Sequence, residues 1–227
     1  ATAIAGRGPS GAINFNTSRK RVELLFPGHL KRNGELVPYS AFKAGIRSYV
    51  DLSEGFFVSD SNHLIKGITG AEIAISASPN DPNTEANLLN EVGITTIFNS
   101  FGTGIRTFGN RSSAFPTYTA PDNFIHIRRT ADAVAESLEL ACFQLIDKNI
   151  TKGWVDTVCQ TVNAFIRRLI GMGALYTGEC FYYNEDNDIE AVKAGHVVFR
   201  YEICPYPSAE RLTFIQSINM SALENLN

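Results

Sequence analysis

Apolar residues recur at three- and four-residue steps in two long stretches. Between 130 and 148, Ala131, Val134, Leu138, Ala141 and Leu145 share one helical face. Between 151 and 171, Val155, Val158, Val162, Phe165 or Ile166, and Leu169 repeat the pattern, and Gly171 and Gly173 supply the stop. Only a few residues around Ile150 separate them, which predicts an antiparallel helix pair. Shorter patterns precede it. Residues 21–26 fit a strand broken by Pro27, and 38–50 a helix capped by Ser40, with Phe42, Ile46 and Tyr49 on one stripe and a stop at Gly55. Residues 68–77 alternate loosely as a strand. Residues 81–93 carry helix punctuation, with Asn83 or Thr84 as cap and Gly93 as stop.

A strand over 94–98 then turns through Gly102 and Gly104 into 105–108, a predicted hairpin closed by Gly109. Residues 110–123, with Pro116 and Pro121, form a loop and a domain boundary. Near the C-terminus, 196–203 place Val197, Phe199, Tyr201 and Ile203 on one strand face. Pro205 and Pro207 make a stiff link, and 210–218 alternate as a further strand. Residues 1–18 read as a loop or linker. The fold class is α+β: mixed sheets packed with helices, and a C-terminal domain with an antiparallel long-helix pair against a β-sheet.

Composition narrows the function. A chain of 227 residues, 44% hydrophobic and 19% charged, is long enough to bury about 70% of its unfolded surface. Its 20 Lys+Arg against 23 Asp+Glu give a net charge of −3, without the basic excess of a nucleic-acid binder. No apolar run nears the ~20 residues of a membrane span, so neither nucleic acid nor membrane insertion is expected. The Met-less, Gly/Ala-rich opening at Ala1 predicts a processed or truncated product. Cys142, Cys159, Cys180 and Cys204 show no Cys-x-x-Cys spacing and read as thiols in a reducing compartment rather than metal ligands.

The chemical motifs are weak. Gly6-Arg-Gly-Pro-Ser-Gly11 spells a dinucleotide fingerprint but lacks the preceding strand, so it reads as a loop. Ser59, Asp60, Ser61 and His63 bring triad residue types together without a nucleophile elbow, which favours a turn built from side-chain hydrogen bonds. Residues 184–190 concentrate carboxylates without the glycine and glutamate that shape a calcium loop, and read as a solvated loop. No catalytic, cofactor-binding or metal-binding residue is assigned.

Four segments carry a resemblance: Ser61-Asn-His-Leu-Ile-Lys-Gly-Ile-Thr-Gly70, Thr84-Glu-Ala-Asn-Leu-Leu-Asn-Glu-Val-Gly-Ile-Thr-Thr-Ile-Phe98, Gly104-Ile-Arg-Thr-Phe-Gly-Asn-Arg111 and Phe124-Ile-His-Ile-Arg-Arg-Thr-Ala-Asp132. In order and spacing they resemble the tail sheath proteins of contractile-tailed bacteriophages and related particles. Phe108 stands where that family usually has Trp. The resemblance covers about 19–218 and implies the C-terminal portion of a longer subunit: 1–18 a linker at a truncation point, 19–119 the end of the larger sheath domain, and 120–227 the inner C-terminal domain with a terminal strand arm.

The resemblance implies a mechanical, non-enzymatic role. Subunits stack around an inner tail tube and contract to drive it through the target cell envelope. The implied partners are other sheath subunits, the tube protein and baseplate or tail terminator proteins, and the implied location is the virion, assembled in the host cytoplasm. Terminal arms in the family add strands to neighbouring sheets. On that basis Arg211, Leu212, Thr213, Phe214 and Ile215 are candidates for an intersubunit strand, with an intrachain edge strand as the alternative. Lys152, Arg167 and Arg168 are candidates for facing an acidic tube. A fragment lacking the N-terminal arm is expected to stay monomeric or weakly associated and to form no long tubes. The competing readings are a hydrolase-like α+β enzyme using Ser59, Asp60 and His63, and a receptor- or carbohydrate-binding tail module presenting Tyr182 and Tyr183.

Overall fold

A computed structural model describes Thr2–Ala3, residues 8–13, Phe15, and residues 18–99 and 102–221. In chain order the elements are β1 (Thr2–Ala3), α1 (Pro9–Ile13), β2 (Leu24–Leu25), β3 (His29–Arg32), β4 (Glu35–Pro38), α2 (Tyr39–Ser53), β5 (Gly70–Ala71), α3 (Glu85–Glu91), β6 (Ile94–Phe98) and β7 (Arg106–Phe108). There follow α4 (Ile125–Cys142), α5 (Lys152–Gly171), β8 (Leu175–Phe181), α6 (Ile189–Lys193) and β9 (Arg200–Pro205).

The first sheet runs β1-β2-β6-β7, parallel except for the final β6–β7 hairpin. Both of its faces are covered, as parallel strands require. Leu24 and Ile94 point to a core with Ala12 of α1 and Leu89 of α3. Leu25 and Ile97 point the other way, to Leu30 of β3, Tyr39 of α2 and Ile65. The alternation of strand side chains turns the adjacent pair Leu24-Leu25 into anchors for two different cores.

A second sheet, β4-β3-β5, is antiparallel. Its β3–β4 turn is Asn33-Gly34, with φ of 51° and 88°, the two left-handed residues that a tight hairpin needs. That dipeptide was a legible signal, yet the hydrophobic pattern alone left the segment unassigned. The third sheet pairs β8 with β9 antiparallel, and α5 packs on it. Val134 and Leu138 of α4, Val162, Ile166 and Leu169 of α5, and Leu175 and Cys180 of β8 form one core. Helix and sheet approach closely at Gly178, where a Cβ would lie 2.7 Å from the Glu202 carbonyl oxygen and 3.0 Å from Ile166.

Several expectations need correction. Residues 9–13 are helical and 2–3 a strand rather than all linker, while Gly6 and Arg7 of the glycine motif lie outside the described residues. Helix α2 starts at Tyr39 with Pro38 before it and no side-chain cap from Ser40. Its buried stripe is Tyr39, Lys43 and Val50, leaving Tyr49 exposed. Helix α4 starts five residues earlier than the pattern indicates. Only Gly70–Ala71 of 68–77 is a strand, and 196–199 precede β9 as coil. β8 and α6 were not anticipated. Most consequentially, 210–218 form no strand: among the described residues they have no ladder partner for their backbone hydrogen-bonding groups. The helix pair, the β6–β7 hairpin and the Thr151 start of α5 stand, the last with Thr151 Oγ1 accepting the Trp154 N–H at 3.1 Å.

An ionic cluster joins these layers. Lys43, 2% exposed, places Nζ 3.0 Å from Glu23 and 3.1 Å from Asp60, and donates to Thr107 Oγ1 at 3.4 Å. Beside it the Tyr39 hydroxyl donates to Thr107 Oγ1 at 2.7 Å and lies 3.0 Å from the Thr96 carbonyl oxygen. Burial alone would push the ammonium down, but the Glu23 and Asp60 carboxylates outweigh it and hold Lys43 above the ordinary lysine range. One turn on, Arg47 reaches Asp60 and Asp51, and Asp51 takes both Arg129 nitrogens of α4 at 2.9 and 2.7 Å. Asp132 of α4 likewise gathers Arg128 and Arg21.

Two stability measurements follow. Lys43→Ala strands two carboxylates and should cost about 3–5 kcal/mol in urea unfolding, and Lys43→Met combined with Glu23→Gln and Asp60→Asn should recover most of it. The Arg129 guanidinium holds the Asp51 carboxyl below its ordinary value of 3.8. For Asp132, burial pushes upward, but the Arg128 and Arg21 hydrogen bonds prevail and it too is lowered. Depressed carboxylates contribute stability that is present above the unfolded value and lost as pH falls through the folded one. The urea midpoint should therefore drop on acidification below about pH 4, and Asp51→Asn should flatten that drop while lowering the midpoint at neutral pH.

Candidate assembly interface

Beyond Pro205 the chain leaves its sheet and runs to Ser221 without a ladder partner. Leu212 (74% exposed), Phe214 (90%), Ile215 (95%) and Ile218 (78%) face solvent, and Arg211 and Thr213 are exposed with them. Five large apolar side chains, counting Met220, lie exposed on a segment outside any helix or strand, with no backbone ladder partner among the described residues, and form an incomplete structure. Residues 211–215 thus sit together on this segment, as the sequence places them.

The body carries a matching incompleteness. The β8–β9 sheet has two strands, so among the described residues the outer edge of each lacks a strand partner; on β8 the Asn163 side chain of α5 occupies part of that edge, accepting the Cys180 N–H at 2.8 Å and donating to the Cys180 carbonyl at 3.4 Å. Helix α5 covers one face of it, leaving extension sideways as the way to add a strand.

The segment's first residues are held. His126, 3% exposed, donates from Nε2 to the Tyr206 carbonyl at 3.1 Å, while its Nδ1 takes the Asn110 amide at 3.2 Å. Burial pushes the imidazole below the ordinary histidine value, which keeps the neutral tautomer that these two bonds require. Tyr206 also packs edge-on against Tyr176 of β8. Arg111 then grips Glu210 with two nitrogens at 2.8 and 2.6 Å. Neither Arg111 nor His126 stood out as functional in the sequence, because their partners lie 99 and 80 residues away.

Lys152, Arg167 and Arg168 are exposed on α5, and among the described residues none takes part in an ion pair. They are not one cluster. Lys152 opens the helix and Arg167 lies about 22 Å along it. Arg168 points about 100° away from Arg167 around the axis. The buried Val158–Val162–Ile166–Leu169 stripe fixes which sides remain for them.

The residues of the enzyme reading do not converge. Ser59 Oγ accepts the Ser61 N–H at 3.2 Å. Asp60 is committed to Lys43 and Arg47. His63 bridges the Ser61 carbonyl and the Glu54 carboxylate. A cavity of about 500 Å³ beside α2 is lined by Lys43, Arg47, Asp60, Arg128, Arg129 and Asp132, side chains already paired with one another or, for Arg129, with Asp51. Tyr183 stacks on Phe181, and Tyr182 leans on Phe199. The four cysteines are free thiols. Cys180 is pushed up to about 12 by burial and by the neighbouring Cys159, so its sulfur packs as an apolar atom.

The family model of the phage tail sheath C-terminal domain matches residues 120–219. The tail sheath protein of Burkholderia phage BcepMu is 44% identical over the whole chain, which covers 48% of that protein. That of Escherichia phage P2 is 30% identical over 95% of the chain and 54% of its own length. The chain therefore spans about half the length of the curated relatives it matches. Among solved structures, the sheath complex of an extracellular contractile injection system, PVC, in the contracted state superposes with a TM-score of 0.82 at 17% identity, over 97% of this chain and 63% of that one. The contracted helical sheath of the anti-feeding prophage gives 0.78 at 17% identity, over 96% and 61%. These likenesses carry the fold. An α+β body whose charged core and helix pair end in an exposed apolar segment, with the sheath C-terminal domain model matched over 120–219, is related along its whole length to the phage tail sheath proteins.

Proposed function

We propose that this chain is the C-terminal portion of a structural subunit that polymerises around an inner tail tube and contracts to drive the tube through the target cell envelope. One observation carries the reading: an exposed, unpaired apolar segment, 211–221, on a body whose β8–β9 sheet has open edges. A strand donated from one subunit to its neighbour's sheet satisfies the backbone groups of both. Main-chain hydrogen bonds along a flexible tether hold while the bodies turn, so subunits can rotate between lattices without parting.

The proposed division is 19–119 in the larger sheath domain and 120–227 in the inner domain, with 1–18 as a linker that includes β1 and the short helix α1. The role is mechanical, without covalent chemistry or cofactor. Its proposed partners are other sheath subunits, the tube protein and baseplate or terminator proteins, in a virion assembled in the host cytoplasm. The tube-facing role falls to α5, where Lys152 and Arg167 rise on neighbouring sides of the helix and Arg168 extends the charge further around the axis from Arg167.

Electron microscopy of a full-length subunit carrying this chain tests the reading. Deleting 211–221 should leave rings or dispersed particles where the intact subunit grows long sheaths. Undiminished sheath growth would remove strand donation from the account. Arg167→Glu with Arg168→Glu should weaken tube-templated assembly most at low salt, where unscreened charges act furthest. Unchanged assembly there would sink the tube-facing assignment.

A further inference from the structure

We infer that Arg111 is the positioning residue of the donated strand: with His126 it fixes the point at which the C-terminal segment leaves the body, and so the strand's reach and register. The inference rests on the strand-donation reading. Arg111 is held before it meets Glu210. Its backbone bridges Phe124, its guanidinium lies 3.7 Å over the Phe124 ring, and only 18% of the side chain is exposed. From that shelf it makes two parallel hydrogen bonds to Glu210, a fork geometry that fixes direction as well as distance. Phe124 in turn packs edge-on against His126, which holds the Tyr206 carbonyl. Ser208 Oγ lies 3.5 Å from the same imidazole nitrogen.

Among the described residues these side-chain contacts with the body stop at Glu210. From Arg211 onward the side chains face solvent. The segment thus has a clamped root, 206–210, and a free blade beginning at Arg211. Without the clamp the tether would start where β9 ends, at Pro205, and gain five residues, about 17 Å of extended chain. Slack of that size spans several strand positions. A one-residue slip in an added strand exchanges the faces of Leu212 and Phe214 with those of Thr213 and Ile215. A fixed root removes that freedom before the neighbour is met, and lowers the ordering cost of docking.

Tryptic cleavage after Arg211 reads the clamp directly, since the protease needs the flanking residues detached from the body. In the unassembled full-length subunit, Arg111→Gln should speed that cleavage about tenfold with little change in melting temperature. Glu210→Gln, altered on the exposed partner and so safe for folding, should do the same. The double variant should be no faster than either single one, because both remove one interaction. On assembly, each variant should give sheaths of irregular diameter. Unchanged cleavage in both single variants, or additive rates in the double, would overturn the clamp even if deleting 211–221 still abolishes sheaths. Accelerated cleavage combined with normal sheath growth after that deletion would instead overturn strand donation, and with it the positioning role.

Discussion

The fold depends on a buried lysine. Lys43 sits in the second turn of α2, yet it meets a carboxylate from the segment before β2, one from the loop after α2, and a hydroxyl from β7. An ammonium costs several kcal/mol to bury alone. It is tolerated here because Glu23 and Asp60 are fixed around it by separate elements. Misplacing any of those elements leaves a charge unpaired, so the cluster specifies one arrangement of the larger unit more strictly than apolar contact could. Its extension through Arg47, Asp51 and Arg129 carries the same constraint into α4, the first helix of the C-terminal core.

That continuity bears on the proposed mechanics. Under that proposal the subunit transmits force and must move as one body, and ion pairs between α2 and α4 join regions whose apolar cores are separate. Residues 211–221 are exposed along their length, while Tyr206 and Glu210 are gripped by side chains beside the same helix: Arg111 precedes the loop into α4, and His126 lies in the first turn of that helix. The ion pairs of the body and the root of the C-terminal segment thus meet at the start of α4.

Much of this was legible along the chain. The α4 and α5 stripes, the β6–β7 hairpin and the Gly93 stop rest on local periodicity and on glycine's access to positive φ, 73° at Gly93. The apolar alternation of 210–218 was legible too, but not its outcome. A strand pattern records that a segment can pair and leaves its partner unnamed. Residues 210–218 read like β6 in sequence and differ in having no strand neighbour among the described residues. β8 escaped because Thr177, Gly178 and Glu179 interrupt its apolar pattern, and Gly178 is there for the close approach of Ile166 and Glu202.

The sequence by itself determined the α+β class, the long-helix pair, the family resemblance and the mixed apolar character of the C-terminal segment, since each is written in residues within a few turns of one another. Only the tertiary structure decided that Lys43 belongs inside, that Arg111 reaches Glu210 across 99 positions of chain, and that residues 211–221 stay unpaired. Charge pairing and strand pairing are settled by which groups arrive at one place after the chain has folded, and no local spacing encodes that arrival.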